Sequence, residues 1–300
     1  METVVILIAG GREAEGALLR DHDLLPKAAA VAGGRGEPRW LAPGRACEWT
    51  IEAGAAELRA LEEQVRSALG DLPIDVAVLP AEGRRKPLLI ADMDSTMIGQ
   101  ECIDELAAVA GVGDQIAAIT ERAMRGELDF EGALRTRVGM LKGLPRSAIA
   151  TVISQRLSFT AGGDVLLRTM RQSGAFTALV SGGFTAFTSH VADHLGFDHA
   201  RANELLLDGD MLSGTVAEPI LGRDAKASAL RELCERLDIS PAQALAVGDG
   251  ANDIPMLEAA GLGVAFHAKP KTRDAAAARI DFGDLTSLLF LQGYSVHDFR

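Results

Sequence analysis

The first eighty residues place apolar side chains in short runs separated by polar and Gly-rich stretches. Residues 3–9 form a continuous β-branched apolar run, which predicts a strand. Residues 54–69 carry apolar side chains three and four positions apart, which is the spacing of an amphipathic helix. A helix over 13–21 and strands over 28–32, 45–51 and 74–79 complete the pattern. The resulting order, β-α-β-β-α-β, predicts a small ferredoxin-like α+β domain over residues 1–80.

Beyond a predicted linker at 81–87, the pattern changes to fully apolar runs that alternate with amphipathic helices. Strands are predicted at 88–91, 175–180, 244–247, 262–266 and 279–282, and helices at 163–172, 184–195, 224–238, 253–260 and 271–278. Strands without polar alternation are typical of a parallel sheet that helices cover on both sides. The sequence therefore predicts an α/β domain over 88–300 with a Rossmann-like core.

One insertion interrupts this alternation. Between the first and second strands of the core, residues 99–160 contain only helical patterns, at 101–111, 114–124, 129–141 and 145–156. A group of helices between two strands of a sheet predicts a cap over the edge of that sheet. A second feature is Asp208-Gly209, which lies between two apolar runs and predicts a hairpin within 203–216.

Composition and charge exclude several classes of protein. The chain has 48% apolar residues, which is enough for a buried core, and a net charge of −12 without a long basic cluster, which argues against nucleic acid as a partner. Three distant cysteines and no CxxC motif indicate neither a disulfide framework nor a zinc site. The chain shows no uncharged apolar stretch long enough to span a bilayer and no signal peptide, so we expect a cytoplasmic protein without a membrane partner.

Acidic and hydroxyl residues follow three of the predicted strands. Asp92 and Asp94 come after the first strand of the core, Ser181 and Gly182 after the second, and Asp249 after the third. Because the carboxyl ends of parallel strands meet at one edge of the sheet, these residues should converge. Carboxylates are hard oxygen ligands that suit Mg²⁺ better than zinc. A hydroxyl followed by glycine N–H groups suits a phosphate oxygen, whereas a DxD or an SGG alone would indicate only a turn.

These motifs, in this order, resemble those of the haloacid dehalogenase-like phosphatases. The resemblance rests on Asp92-Met93-Asp94-Ser95-Thr96, Ser181-Gly182-Gly183, Lys226 and Gly248-Asp249-Gly250-Ala251-Asn252-Asp253. Within that family, residues 92–106 and 130–144 and the tail ending at Tyr294 are most similar to the phosphoserine-hydrolysing members. The resemblance covers about residues 88–294 and implies an Mg²⁺-dependent phosphatase.

The resemblance also implies a role for each motif residue. Asp92 would attack phosphorus and form an aspartyl-phosphate, and Asp94 would serve as general acid and then as general base. Mg²⁺ would be bound by Asp92, by the main-chain carbonyl of Asp94 and by Asp249. The phosphoryl oxygens would be held by Ser181, Gly182 and Lys226, with Asn252 near the phosphoryl group or the water and with Asp253 supporting Lys226 or the metal.

Four residues of the predicted cap complete the implied site. Glu101 would pair with the ammonium group of the substrate, and Arg137 would bind its carboxylate through two parallel hydrogen bonds. Met124 and Phe130 would pack over the bound ligand and exclude water. The predicted reaction is therefore hydrolysis of O-phosphoserine, a small-molecule substrate, to serine and phosphate, the last step of serine biosynthesis.

Two alternatives stay open at this point. A phosphatase of the same fold could act on another small phosphomonoester, although Glu101 and Arg137 together suit an amino acid. A phosphorylatable receiver-type signalling module would also use an acidic cluster and a lysine, but it would lack an acid at the position of Asp94. The strand order of residues 1–80 is similar to that of ACT-type amino-acid-binding domains. Whether this domain binds serine as a regulator stays open, and a homodimer through it is a further expectation.

Overall fold

A computed structural model gives the structure, which describes residues 1–20, 23–124, 127 and 129–300. The amino-terminal part forms a four-stranded antiparallel sheet in the order β2-β3-β1-β4, with three helices on one face. Its elements are β1 (Glu2–Ala9), α1 (Arg12–Arg20), α2 (Leu24–Ala32), β2 (Arg39–Ala42), β3 (Ala46–Glu52), α3 (Leu58–Leu69) and β4 (Ile74–Pro80). The predicted order of strands and helices is present with one added helix, while the likeness to ACT domains stays a prediction.

One predicted strand is wrong. Residues 28–32 lie in helix α2, and the strand that pairs with β3 is Arg39–Ala42, inside the stretch we expected to be a loop. Alanine has the highest helix propensity of any residue type, which favours a helix over Ala28–Ala30. Packing buries Ala28 and Ala29 in the core of the amino-terminal part, whereas Ala30 is exposed. Gly33 ends the helix with φ of +72°, a conformation that glycine adopts without strain.

The second part forms a six-stranded parallel sheet in the order β12-β11-β10-β5-β6-β7. Its elements are β5 (Leu88–Ala91), α4 (Cys102–Ala110), α5 (Gly113–Met124), α6 (Phe130–Met140), α7 (Ser147–Gln155), α8 (Gly163–Gln172), β6 (Phe176–Phe184), α9 (Thr185–Leu195), β7 (His199–Asn203), β8 (Leu205–Asp208), β9 (Met211–Val216), α10 (Arg223–Leu237), β10 (Ala244–Gly248), α11 (Ile254–Ala259), β11 (Leu262–Phe266), α12 (Pro270–Ala275), β12 (Ala278–Ile280) and α13 (Ser287–Leu291). The chain starts at a central strand, fills one side and then returns to fill the other, as in the predicted Rossmann-like core.

The predicted cap consists of α4 to α7, inserted between β5 and α8. Two segments connect it to the core, and they are bound to each other where the Gln100 side chain exchanges two hydrogen bonds with Ser158. The predicted hairpin, β8 and β9, extends from the core to the cap. There Leu212 exchanges main-chain hydrogen bonds with Gly143 and Leu144, of 2.9 and 2.8 Å. The cap is therefore attached to the core at two separate places.

Strand β1 is buried on both faces, which explains why its sequence lacks polar alternation. Val5 and Leu7 pack with the helices of the amino-terminal part, whereas Val4 and Ile6 share a core with α13. An ion pair between Arg45 and Asp284, 2.9 Å long, joins the same surfaces. The amino-terminal sheet thus packs through an apolar face on helix α13 of the second part. In the described part of the chain, every helix is too short or too polar to traverse a bilayer.

Candidate active site

Three carboxylates converge where the order of the parallel sheet reverses direction. Asp92 follows β5, and Asp249 follows the adjacent strand β10, so both lie at the carboxyl edge of the sheet. Asp253, at the start of α11, turns back toward them. One oxygen from each of these buried carboxylates lies within 4.8 Å of the others. This arrangement could hold a divalent cation through hard oxygen ligands.

The cluster of carboxylates encloses one lysine. The Nζ atom of Lys226, in the first turn of α10, lies 2.7 Å from Asp92 Oδ1 and 2.6 Å from Asp253 Oδ1, and its side chain is only 4% exposed. Burial lowers the pKa of Lys226, but the Asp253 and Asp92 carboxylates raise it more, so the net shift is upward. Lys226 therefore stays a cation, and it is held in place by two ion pairs.

Burial makes the carboxylates of this site weaker acids than usual. It raises the pKa of Asp92 well above its ordinary value, with a further contribution from the charge of Asp253. Burial and then Asp253 raise the pKa of Asp249 to about 6. Three carboxyl groups, those of Asp92, Asp249 and Asp253, thus lie around the single cation of Lys226 at this edge of the sheet. Their negative charge exceeds what Lys226 neutralises, so a cation would be bound favourably here.

Asp94 lies beside the three converging carboxylates but does not belong to them. Its Oδ2 atom accepts a 3.2 Å hydrogen bond from the Cys102 N–H, and its buried Oδ1 atom has no hydrogen-bond partner in the described structure. Burial, and then the charge of Glu101, raises the pKa of Asp94 to about 7. A buried carboxyl with a pKa near neutrality and one unsatisfied oxygen is suited to exchange a proton with a bound group.

The segment Ser181–Gly183 lies in the last part of β6, where the pairing with β7 shifts register. Ser181 Oγ accepts a 2.9 Å hydrogen bond from the Gly183 N–H, and the Gly182 carbonyl accepts one of 2.9 Å from the side-chain amide of Asn203. A Cβ atom at position 182 would lie 3.1 Å from Cζ of Phe130, so the ring of this cap residue closes directly over the glycine. The cap thus contacts this segment at Phe130.

The cap contributes two charged residues of opposite sign. Glu101 precedes α4 and accepts a 2.8 Å hydrogen bond from Ser95 Oγ. Arg137 is half-buried on α6, where burial lowers its pKa and the nearby charges of Asp104 and Glu101 oppose that shift. Arg135, two residues earlier on the same helix, is exposed and pairs with Glu218 instead. Of the two arginines, Arg137 is therefore the one that lies near Glu101.

The remaining predicted site residues are less constrained. Asn252 is half-buried in the turn between β10 and α11, beside Asp253. Met124 is the last residue of α5, and its side chain lies outside the described part of the structure. Mg²⁺ was expected to bind Asp92, Asp249 and the main-chain carbonyl of Asp94. The third carboxylate of the cluster is Asp253, for which the family resemblance implied only a supporting role.

Sequence reasoning missed two residues with evident contacts at this site. Asn203 is buried at the end of β7. Its side-chain amide donates to the Gly182 carbonyl, and its side-chain oxygen accepts a 2.8 Å hydrogen bond from the Leu221 N–H, ahead of α10. Cys102 is buried at the start of α4, and its N–H donates a hydrogen bond to Asp94 Oδ2. Neither belongs to a recognisable motif. Asn203 binds residues 21 and 18 positions away, and Cys102 binds Asp94, which lies 8 positions before it.

Comparisons with known proteins show which family the chain resembles. A family model described as haloacid dehalogenase-like hydrolase matches residues 87–261. A phosphoserine phosphatase of Archaeoglobus fulgidus is 40% identical over 243 residues, which are 80% of this chain and 70% of the relative. These matches favour the phosphatase over the receiver-type alternative.

Two solved structures extend the comparison. The structure of a haloacid dehalogenase family hydrolase from Salmonella enterica serovar Typhi has a TM-score of 0.82 at 29% identity, and the alignment covers 96% of this chain and 98% of that chain. A structure described as the phospho-aspartyl intermediate analogue of phosphoserine phosphatase has a TM-score of 0.64 at 38% identity, covering 69% of this chain and 98% of its own. The alignment with the first structure includes the amino-terminal part of this chain, whereas the alignment with the second covers about two thirds of this chain.

Proposed function

The chain belongs to the haloacid dehalogenase-like hydrolases, and we propose that it hydrolyses O-phosphoserine to serine and inorganic phosphate. One observation carries the proposal most directly. Buried Lys226 is bound by Asp92 and Asp253 at the edge of the sheet, beneath a cap that carries Glu101 and Arg137. The phosphoryl chemistry and the recognition of an amino acid are thus located on two facing parts of the molecule.

The acidic cluster fits Mg²⁺. Asp92 and Asp249 would hold the ion, with the main-chain carbonyl of Asp94, and Asp253 is close enough to bind it or to orient Lys226. The fit rests on the hard oxygen donors and on the negative charge that the lysine leaves unbalanced. When bound, the ion supplies charge stabilisation to the phosphoryl oxygens.

Asp92 is the nucleophile in this mechanism. Lys226 is within hydrogen-bonding distance of Asp92 Oδ1, and its charge favours the ionised carboxylate and so opposes the rise in the pKa of Asp92 that burial causes. The carboxylate attacks phosphorus, the bond to the serine oxygen breaks, and an aspartyl-phosphate forms. Ser181, the N–H groups beside Gly182 and the cationic Lys226 surround the phosphoryl oxygens, where charge develops during transfer. Asn252 contacts the phosphoryl group or the attacking water.

Asp94 moves the protons. With a pKa near 7, the Asp94 carboxyl carries a proton that it donates to the departing serine oxygen. The same group, now ionised, removes a proton from the water that attacks the aspartyl-phosphate. The Cys102 N–H fixes one oxygen of this carboxyl, so the other oxygen faces the reacting groups.

The cap recognises the serine part of the substrate. Glu101 pairs with the ammonium group, and Arg137 binds the carboxylate with its planar guanidinium, a geometry that lysine cannot reproduce. Phe130 closes over Gly182 and excludes water from the reacting bond, and Met124 is proposed to pack beside it.

We expect Asp94→Asn to lower kcat for O-phosphoserine by about 10²- to 10⁴-fold, because the serine alkoxide then leaves without a proton donor. An aryl phosphate has a better leaving group, so its first step should suffer less and phosphoenzyme should accumulate. Stopped-flow release of the aryl alcohol against steady-state release of phosphate measures this. Asp114→Asn, an exposed cap variant, serves as the control. An equal loss on both substrates would contradict the role of Asp94.

We expect Arg137→Ala to lower kcat/KM for O-phosphoserine roughly 10- to 100-fold, because a charged hydrogen-bonded partner of the carboxylate is lost. O-phosphoethanolamine lacks that carboxylate, so its kcat/KM should change little, and so should that of an aryl phosphate. Arg135→Ala is the matched control, since Arg135 pairs with Glu218 at the surface. If Arg137→Ala weakened all three substrates alike, Arg137 would have only a structural role in the cap.

A panel of phosphomonoesters tests the proposed function itself. Phosphate release from O-phosphoserine, O-phosphothreonine, O-phosphoethanolamine, glycerol phosphate and an aryl phosphate is measured with Mg²⁺ and with a chelator. The proposal predicts the highest kcat/KM for O-phosphoserine and activity that depends on added Mg²⁺. A clear preference for a substrate without an ammonium or a carboxylate group would refute it.

A further inference from the structure

Ser95, the residue after Asp94, has a strained backbone. Its φ is +55°, in the left-handed region that residues with a Cβ rarely adopt. Among the described residues, only Asp238 and His267 share this feature outside glycine, and Asp238 caps the end of α10. Ser95 ends no helix. Strain of this kind persists where the surrounding structure fixes it, often at functional sites.

Two hydrogen bonds of Ser95 reach the same place. Its N–H donates to the carbonyl of Gln100 over 3.2 Å, and its hydroxyl donates to Glu101 Oε1 over 2.8 Å. The loop between Asp94 and α4 is thus closed by Ser95 at the peptide that precedes Glu101 and at the Glu101 side chain itself. Within the described ranges, the Ser95 hydroxyl is the only side-chain donor bound to the Glu101 carboxylate.

Glu101 needs such a partner because of its surroundings. It is exposed at the start of α4, and its negative charge is close enough to Asp94 and Asp249 to raise the pKa of both groups. Repulsion from Asp249, and from Asp94 whenever it is ionised, favours rotamers of Glu101 that point away from the site. A hydroxyl donor on the neighbouring loop offsets this repulsion and leaves the second carboxylate oxygen, Oε2, available to a ligand.

We infer that Ser95 is a positioning residue that sets substrate specificity by holding the Glu101 carboxylate toward the ammonium group of the substrate. The inference rests on the proposed function and deepens it, since it assigns part of the preference for an amino-acid phosphate to a residue that never touches the reacting atoms. The left-handed backbone of Ser95 places its hydroxyl beside Glu101, while the preceding residue, Asp94, faces the phosphoryl group.

The test compares two substrates that differ only in the ammonium group, O-phosphoserine and 3-phosphooxypropanoate. Ser95→Ala and Ser95→Gly both remove the hydroxyl, but glycine adopts a positive φ freely and alanine does not. If the hydroxyl is what matters, both variants raise KM for O-phosphoserine roughly threefold to tenfold. The kcat for O-phosphoserine and both constants for 3-phosphooxypropanoate should change little.

A double-variant cycle with Glu101→Ala completes the test. Because Ser95 acts through Glu101, the double variant Ser95→Ala/Glu101→Ala should match Glu101→Ala alone in KM for O-phosphoserine. Additive losses in the double variant, equal losses on both substrates, or a normal KM in Ser95→Gly would each overturn the inference. If the wild-type enzyme did not hydrolyse O-phosphoserine, the proposed function would fail first, and the inference with it.

Discussion

Asp92→Asn should abolish turnover while the protein stays folded. No other carboxylate can replace Asp92 as nucleophile, since Asp249 and Asp253 lie on other segments and Asp253 is bound to Lys226 and to the Gly250 N–H. We expect kcat to fall by about 10⁴- to 10⁶-fold, the scale seen when a covalent hydrolase loses its nucleophile. Steady-state phosphate release from O-phosphoserine at saturating Mg²⁺ measures the loss.

The melting temperature separates this chemical effect from unfolding. Burial raises the pKa of Asp92, which means that its charge costs folding free energy. Lys226 keeps Asp253 as its second partner, so a neutral asparagine at position 92 should destabilise the protein little. Asp164→Asn is the matched control. It removes the same charge from an exposed pair with Arg168 on α8 and should leave kcat and melting temperature unchanged. Wild-type turnover in Asp92→Asn would rule out the covalent mechanism.

Lys226→Met should damage both stability and activity. The substitution removes the cation that lies within hydrogen-bonding distance of Asp92 and Asp253, and it leaves their buried carboxylates facing each other. Breaking a buried ion pair by removing one partner costs about 3–5 kcal/mol. In addition, the kcat of the folded variant should be roughly 10²- to 10³-fold lower than that of the wild type, as expected when a preorganised donor to the transition state is lost. Denaturant unfolding in a chelating buffer and phosphate release with Mg²⁺ measure the two effects.

A second substitution distinguishes the two roles of Lys226. In Lys226→Met/Asp253→Asn one buried charge is also removed, so the free energy of unfolding should recover in part, whereas kcat should not. Lys142→Met, on the exposed face of the cap, is the control for loss of a lysine. If Lys226→Met kept the stability of the wild type, the lysine would not be the counter-ion of the cluster. If the double variant recovered activity, the lysine would not act on the phosphoryl group.

The elements that carry the site were predictable because their patterns are local. Strands β5, β6 and β10 are apolar runs that stop at Asp92, Ser181 and Asp249, and a parallel sheet brings such ends together. The four cap helices were also predicted to within a few residues. The edge strand β7 was not predicted, because only one of its five residues, Asn203, is buried and the run has no apolar pattern.

Other features depend on contacts that no local pattern encodes. Residues 28–32 have the composition of either a helix or a buried strand, and packing against the sheet decides for the helix. The positive φ of Ser95 arises from closure of the loop onto Gln100, five residues later. Likewise, no local pattern indicates that Ile6, on the second face of β1, shares a core with the residues of α13.

Trapping the covalent intermediate tests whether the reaction proceeds through an aspartyl-phosphate on Asp92. The enzyme is mixed with O-phosphoserine and Mg²⁺, quenched in acid within a single turnover, digested and analysed by peptide mass spectrometry. We expect one phosphoryl group on the peptide that contains Asp92 in the wild type and none in Asp92→Asn. When an aryl phosphate replaces O-phosphoserine, Asp94→Asn should accumulate more of this phosphorylated peptide than the wild type. Release of phosphate in the first turnover without a phosphorylated peptide, or a phosphoryl group on any other residue, would contradict this mechanism.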